Sequence, residues 1–195
     1  MERQNAAGEG RPDALDLKEE QPLDERQRKY LDIAVEKIGF LPNVLAAHAW
    51  HAAKFDAFTR FYNELMLADS PLTKLQREMV AVVVSSANRC HYCLAAHGAA
   101  VRELSGDPIL GERLAHNYRT AELPPRERAM LDFAWALTVS PHTTDGEARE
   151  ALKANGWDDR AIWDIASVAA FFNMTNRLST ATDLMPNDAY HAQAR

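Results

Sequence analysis

Cys90 and Cys93 are the only cysteines in the chain, separated by two residues in the stretch NRCHYCLAAH, and His97 follows the second by four positions. Three chemistries are open to such a group: a redox pair, a set of metal ligands, or two small buried hydrophobes. If residues 90–104 form a helix, rotation by ~100° per residue puts Cys90, Cys93 and His97 within about 60° of one another, on one face. Tyr92 then points nearly opposite. A break at Asn88 and Arg89 places both thiols in the first turn, where free N–H groups and the helix dipole favour a thiolate. His97 is positioned to exchange a proton with Cys93, and Cys90 is near enough to close a disulfide with it.

A fourth group comes from the preceding helix. In QREMVAVVVSSAN, Glu78 lies between Leu75 and Val82 on an apolar side. A carboxyl group there is costly unless it is protonated or partnered, and either state suits a proton shuttle. The plainer readings are a salt bridge from a half-exposed Glu78 to Lys74, a satisfied histidine at 97, and shape-filling at His91 and Tyr92. As a metal site, Cys90, Cys93, His97 and Glu78 supply four candidate ligands. Structural zinc sites, however, draw their ligands from two separated pairs.

These residues must be held by helices. From Asp24 onward the apolar positions recur with helical spacing. Asp24 caps a helix to about Ile38, and GFLPNV breaks the chain before two helices over 43–67. Pro71 or Thr73 opens the next, to Asn88. Further helices are expected at 107–117, 125–139 and 145–155, and a last one runs from Asp158 or Asp159 to about Leu184. No stretch alternates with period two for long enough to make a strand, so the fold is all-α and a single helical domain over 23–185. Residues 1–22 read as an N-terminal arm able to pack on a neighbour, and 186–195 as a C-terminal tail.

The 195 residues include 22 Lys and Arg against 28 Asp and Glu, a net charge of −6. That balance argues against nucleic acid or an anionic membrane as partner. Residues 1–22 have no apolar core of a leader, and the longest apolar runs are too short to span a bilayer. A cytoplasmic location is expected, where a static structural disulfide would be out of place. No nucleotide, haem or flavin motif is present, so no cofactor is expected. On the last helix Asn173, Asn176 and Arg177 line a pocket, a subunit contact or a solvated face. Trp50, Trp135, Trp157 and Trp163, with Phe171 and Phe172, read as core or interface; His48 and His51 receive no role.

The spacing Glu78, eleven residues, Cys90-x-x-Cys93, three residues, His97 resembles the E-x11-C-x-x-C-x-x-x-H signature of alkyl hydroperoxidase D-like proteins, in the carboxymuconolactone decarboxylase superfamily. GFLPNV, REMVAVVVSSANRCHYC, AAHGAAVREL and FFNMTNRL resemble its peroxidase-related branch, so the likeness runs from about residue 22 to 185. The resemblance implies an all-α bundle interlocked as a homo-oligomer, trimer or hexamer, and a thiol-dependent peroxidase of antioxidant defence. Cys93 would be the thiol that peroxide oxidises and Cys90 the resolving thiol. His97 and Glu78 would relay the proton. The implied partners are a hydroperoxide substrate and a dithiol reductant, a lipoyl-bearing or other small redox protein. One departure is Tyr92, where alkyl hydroperoxidase D has histidine. Alternatives are a redox sensor without fast turnover, or a zinc-binding module.

Overall fold

A computed structural model of the chain describes residues 12–195. Ten α-helices follow one another: α1 (Glu25–Ile38), α2 (Asn43–His48), α3 (Ala52–Met66), α4 (Lys74–Ala87), α5 (His91–Ser105), α6 (Leu110–Asn117), α7 (Pro125–Val139), α8 (Gly146–Ala154), α9 (Asp159–Ala181) and α10 (Ala189–Ala192). Among the described residues there is no strand, only an isolated bridge between Gln21 and His51. None of these helices is long and apolar enough to cross a membrane.

Local chemistry sets the helix starts. Asp24 and Gln27 form a reciprocal capping box on α1, as Thr73 and Gln76 do on α4. Each box satisfies backbone N–H groups that have no partner inside the helix. Asp158 caps α9 through the Ala161 N–H. Gly39 closes α1 at φ +90°, a conformation open to glycine without a Cβ penalty.

α4 is the central helix. Met79 through Val84 are all at most 2% exposed, so it is apolar around its whole circumference, as a helix enclosed by others must be. It packs against α5, α6, α7 and α9. α6 lies close on α5 because Gly111 meets Gly98. A Cβ at Gly111 would stand 2.9 Å from the Gly98 carbonyl oxygen, so the two helices approach at the backbone.

Residues 1–11 of the expected arm lie outside the described residues. Residues 12–22 run over their own chain: the Ala14 N–H donates to Thr182 O and the Glu20 N–H to Trp50 O. The last helix ends at Ala181, three residues before Leu184. The 186–195 tail folds back as α10 and buries Tyr190. Its backbone is tied down by Arg102, whose Nε donates to Gln193 O (3.0 Å) and Nη2 to Tyr190 O (2.7 Å).

Candidate active site

The site forms where α4 turns into α5. Arg89 occupies the left-handed region at φ +55°, and this single residue reverses the chain. The Cys90 N–H then returns to Ser85 O at 3.0 Å. Asn88 holds the turn by donating its Nδ2 to Asn176 Oδ1 (2.9 Å) and Asn173 Oδ1 (3.0 Å) on α9. Asn176 in turn donates to Ser85 Oγ at 3.0 Å. This amide cluster, with Asn176 and Ser85 fully buried, fixes the first turn of α5 against α9.

The expected helix over 90–104 begins one residue later, at His91. Cys90 is the N-cap, with extended backbone, and Cys93 is the third residue of the helix. Both thiols are buried, at 1% and 2% exposure, so Cys90 does not stand at the outer surface. Leu184 packs against the pair, with Val44, Ala47 and Ala96 around it.

The two thiols interact directly and share their protons unequally. Cys90 is lowered to about 6, first because the Cys93 thiol donates to it, against burial that raises it. The Cys93 backbone N–H, the Thr180 hydroxyl and the charge of His97 assist. Cys93 is pushed well above the ordinary thiol range, by its bond to Cys90, by burial and by the Cys90 charge; Asn176 and Ser179 oppose this. The first ionisation therefore falls on Cys90, whereas the sequence placed the favoured thiolate beside His97. The reason is the contact between the two thiols, in which Cys93 donates to Cys90; of the groups on α9, Thr180 assists the Cys90 anion, whereas Asn176 and Ser179 favour that of Cys93.

His97 lies one turn along α5, and its Nδ1–H donates to Glu78 Oε2 on α4 at 2.6 Å. Their side chains are 13% and 11% exposed. Glu78 is thus partnered by His97 and not by Lys74. The bond fixes the ring tautomer and leaves Nε2 available. The ring edge also packs on Phe172, with centroids 4.5 Å apart.

An apolar cavity of about 420 Å³ opens beside these groups. Cys93 and His97 line it; Cys90 does not. Tyr92, expected to point nearly opposite to the thiols, contributes to the same wall. Its hydroxyl accepts from the Val44 N–H at 3.2 Å, and its ring meets Tyr190 edge-on at 6.4 Å. Sequence reasoning did not find Tyr62, Ser179, Thr180 or Tyr190. None carries a local motif, and Tyr190 reaches the site only because α10 folds back.

For Asn173, Asn176 and Arg177 the sequence allows a pocket, an interface or solvent. Asn173 and Asn176 belong to the amide cluster under the cysteine turn, and exposed Arg177 donates to Asn173 Oδ1 at 2.8 Å. Trp157 is core and Trp163 is 74% exposed. The His48 Nδ1–H donates to Val44 O (2.7 Å), and the ring stacks on Phe58. Among the described residues no three His, Cys, Asp or Glu come together in a way that could hold a metal, so the four-ligand alternative has no geometric support.

The carboxymuconolactone decarboxylase family model matches residues 52–109, which include Glu78, both cysteines and His97. An uncharacterised peroxidase-related protein from Silicibacter sp. TM1040 is 55% identical, with a TM-score of 0.92 over 95% of this chain and 97% of that one. The chain belongs to this family. A second relative, from Ralstonia eutropha JMP134, is described as an alkylhydroperoxidase AhpD core and peroxidase-related protein. It is 39% identical, with a TM-score of 0.86 over 89% of this chain and 91% of that one. The debrominase Bmp8, 22% identical with a TM-score of 0.74 over 89% of this chain and 94% of that one, shares the fold. The uncharacterised Escherichia coli (strain K12) protein YnjA is 25% identical over 115 residues, which span 59% of this chain and 63% of YnjA.

Proposed function

We propose that this protein is a thiol-dependent hydroperoxidase of antioxidant defence. The observation that carries the reading is that Cys93 and His97 share the wall of one cavity, while Cys90, in contact with Cys93, stays out of it. The Cys93 proton passes to His97, with Glu78 behind it, and Cys90 stays a thiolate. The Cys93 sulfur attacks the outer peroxide oxygen and the O–O bond breaks. The departing alkoxide takes a proton from His97 and leaves as an alcohol, with Cys93 now a sulfenic acid. The Cys90 thiolate attacks that sulfur, and the hydroxide leaves as water with a proton from solvent, equal to the one Cys90 released on ionising. The sum converts two thiols and one hydroperoxide into a disulfide, an alcohol and water.

An external dithiol restores the pair by exchange. The family points to a lipoyl-bearing or other small redox protein in that role, and the chemistry fits a reducing compartment such as the cytoplasm. The low pKa of Cys90 serves the resolving step, because Cys90 is already the nucleophile when Cys93 is oxidised. Oligomerisation is part of the same reading. Leu15, Leu17, Phe61, Met174 and Leu178 are 41–50% exposed and line a single groove of about 580 Å³, suited to cover by a second copy.

The test is turnover. Reduced protein with dihydrolipoamide should consume cumene hydroperoxide catalytically, and protein whose thiols are alkylated should not. Consumption that persists after alkylation would overturn the reading.

A further inference from the structure

The cavity that meets Cys93 has an uneven distribution of charge. Its wall is built from aliphatic and aromatic side chains of α1, α3, α5 and α9, among them Ile33, Ala34, Phe58 and Phe171. Its volume of about 420 Å³ falls within the roughly 300–1,000 Å³ of small-molecule sites. No aspartate or glutamate lines it, although the chain carries 28 of them against 22 lysines and arginines. The charged side chains that do line it, apart from His97, are Lys37, in the last turn of α1, and Lys74, the first residue of α4.

Both lysines are exposed, so they stand at the mouth, whereas Cys93 is buried within. Neither ammonium has an ion-pair or hydrogen-bond partner among the described residues. Deeper in the wall, the Tyr62 hydroxyl likewise makes no hydrogen bond among them. The cavity therefore presents two uncommitted cations at its opening, a hydrocarbon-lined interior, and a thiol with one spare hydroxyl donor beyond.

We infer that this cavity selects the free acid of a fatty-acid hydroperoxide, its carboxylate held between Lys37 and Lys74, its chain in the apolar interior and its peroxide group at Cys93. The inference rests on the peroxidase reading for the reacting end, and it adds an anionic anchor at the other. Neutral organic peroxides lack that anchor, and hydrogen peroxide lacks both anchor and chain. The pair of lysines acts by binding and positioning and does not touch the reacting atoms. Each partly exposed ion pair contributes little alone, so both are needed for a clear preference.

The experiment compares linoleic acid hydroperoxide with its methyl ester and with cumene hydroperoxide, using the intact protein and the Lys37→Gln/Lys74→Gln double variant. The wild type should show a KM for the acid about three- to tenfold below that for the ester. The double variant should lose this difference and regain the preference with arginine at both positions. In parallel, binding of a fluorescent fatty acid should weaken by a similar factor in the double variant and on raising salt, a readout that needs no turnover. Lysine-dependent binding without any peroxide turnover would uphold the anchor and defeat the peroxidase reading instead. Equal KM values for acid and ester, or binding indifferent to both lysines, would overturn the inference even with brisk turnover of cumene hydroperoxide.

Discussion

Glu78 on α4 and His97 on α5 meet through a single 2.6 Å hydrogen bond, both side chains almost enclosed, and they join two helices that also frame the thiols. The carboxyl group orients the imidazole. Glu78→Gln keeps the size and an acceptor oxygen but removes the charge. The rate of thiol oxidation by hydroperoxide should fall roughly ten- to a thousandfold, the range for loss of one acid–base group, with the helical circular dichroism unchanged. An unaltered rate would show that the pair is structural.

The proton order within the cysteine pair gives a pH signature. Thiolate absorbance near 240 nm should rise by one thiolate per chain around pH 6, and the second thiol should stay protonated beyond the ordinary thiol range. Because Cys90 is depressed, its anionic form is populated above about pH 6 and lost as pH falls through that value. Cys93→Ala removes the strongest stabiliser of the Cys90 anion, so the step should move upward. Two thiolates titrating together near pH 8.5 would contradict the shared-proton arrangement.

The folded-back tail contributes to stability. Arg102 is 5% exposed and donates to the carbonyls of Tyr190 and Gln193. Deleting residues 189–195 removes both acceptors and uncovers the Tyr92 ring. Urea denaturation should show a loss of about 1–3 kcal/mol, the cost of leaving such a buried donor unsatisfied. An unchanged midpoint would mean that the tail rests on the bundle without stabilising it.

Assembly is tested at the exposed groove. Light scattering at micromolar concentration should give a mass that is a multiple of the 21.8 kDa chain. Leu178→Glu, on a side chain 47% exposed, should lower that mass without unfolding the chain. A monomeric wild type would contradict the proposal.

Helix boundaries were legible wherever a short-range device sets them. Asp24 with Gln27, and Thr73 with Gln76, mark their helix starts within four residues of sequence. The spacing of Glu78, Cys90, Cys93 and His97 was equally local, and the structure brings Glu78 to His97 and Cys90 to Cys93. What sequence did not reveal depends on contacts across 80 or more residues. Asn176 read as a possible solvated position because nothing nearby shows that Asn88 will face it from the end of α4. The left-handed Arg89 moved Cys90 out of the helix, since arginine carries no local signal for that conformation. Thr180 assists the Cys90 anion while Ser179 favours that of Cys93, and neither stands near the cysteines in the chain.

The central claim is that Cys93 meets peroxide and Cys90 resolves it, and intact-mass spectrometry with dimedone tests it most directly. One equivalent of cumene hydroperoxide should leave the wild type lighter by two hydrogens, with both thiols lost together and little dimedone adduct. Cys90→Ser should carry one dimedone on Cys93 and sustain no turnover; Cys93→Ser should take up none and consume no peroxide. Dimedone on Cys90 in the Cys93→Ser variant would reverse the roles of the two thiols. Wild-type thiols still free after peroxide would contradict the account altogether.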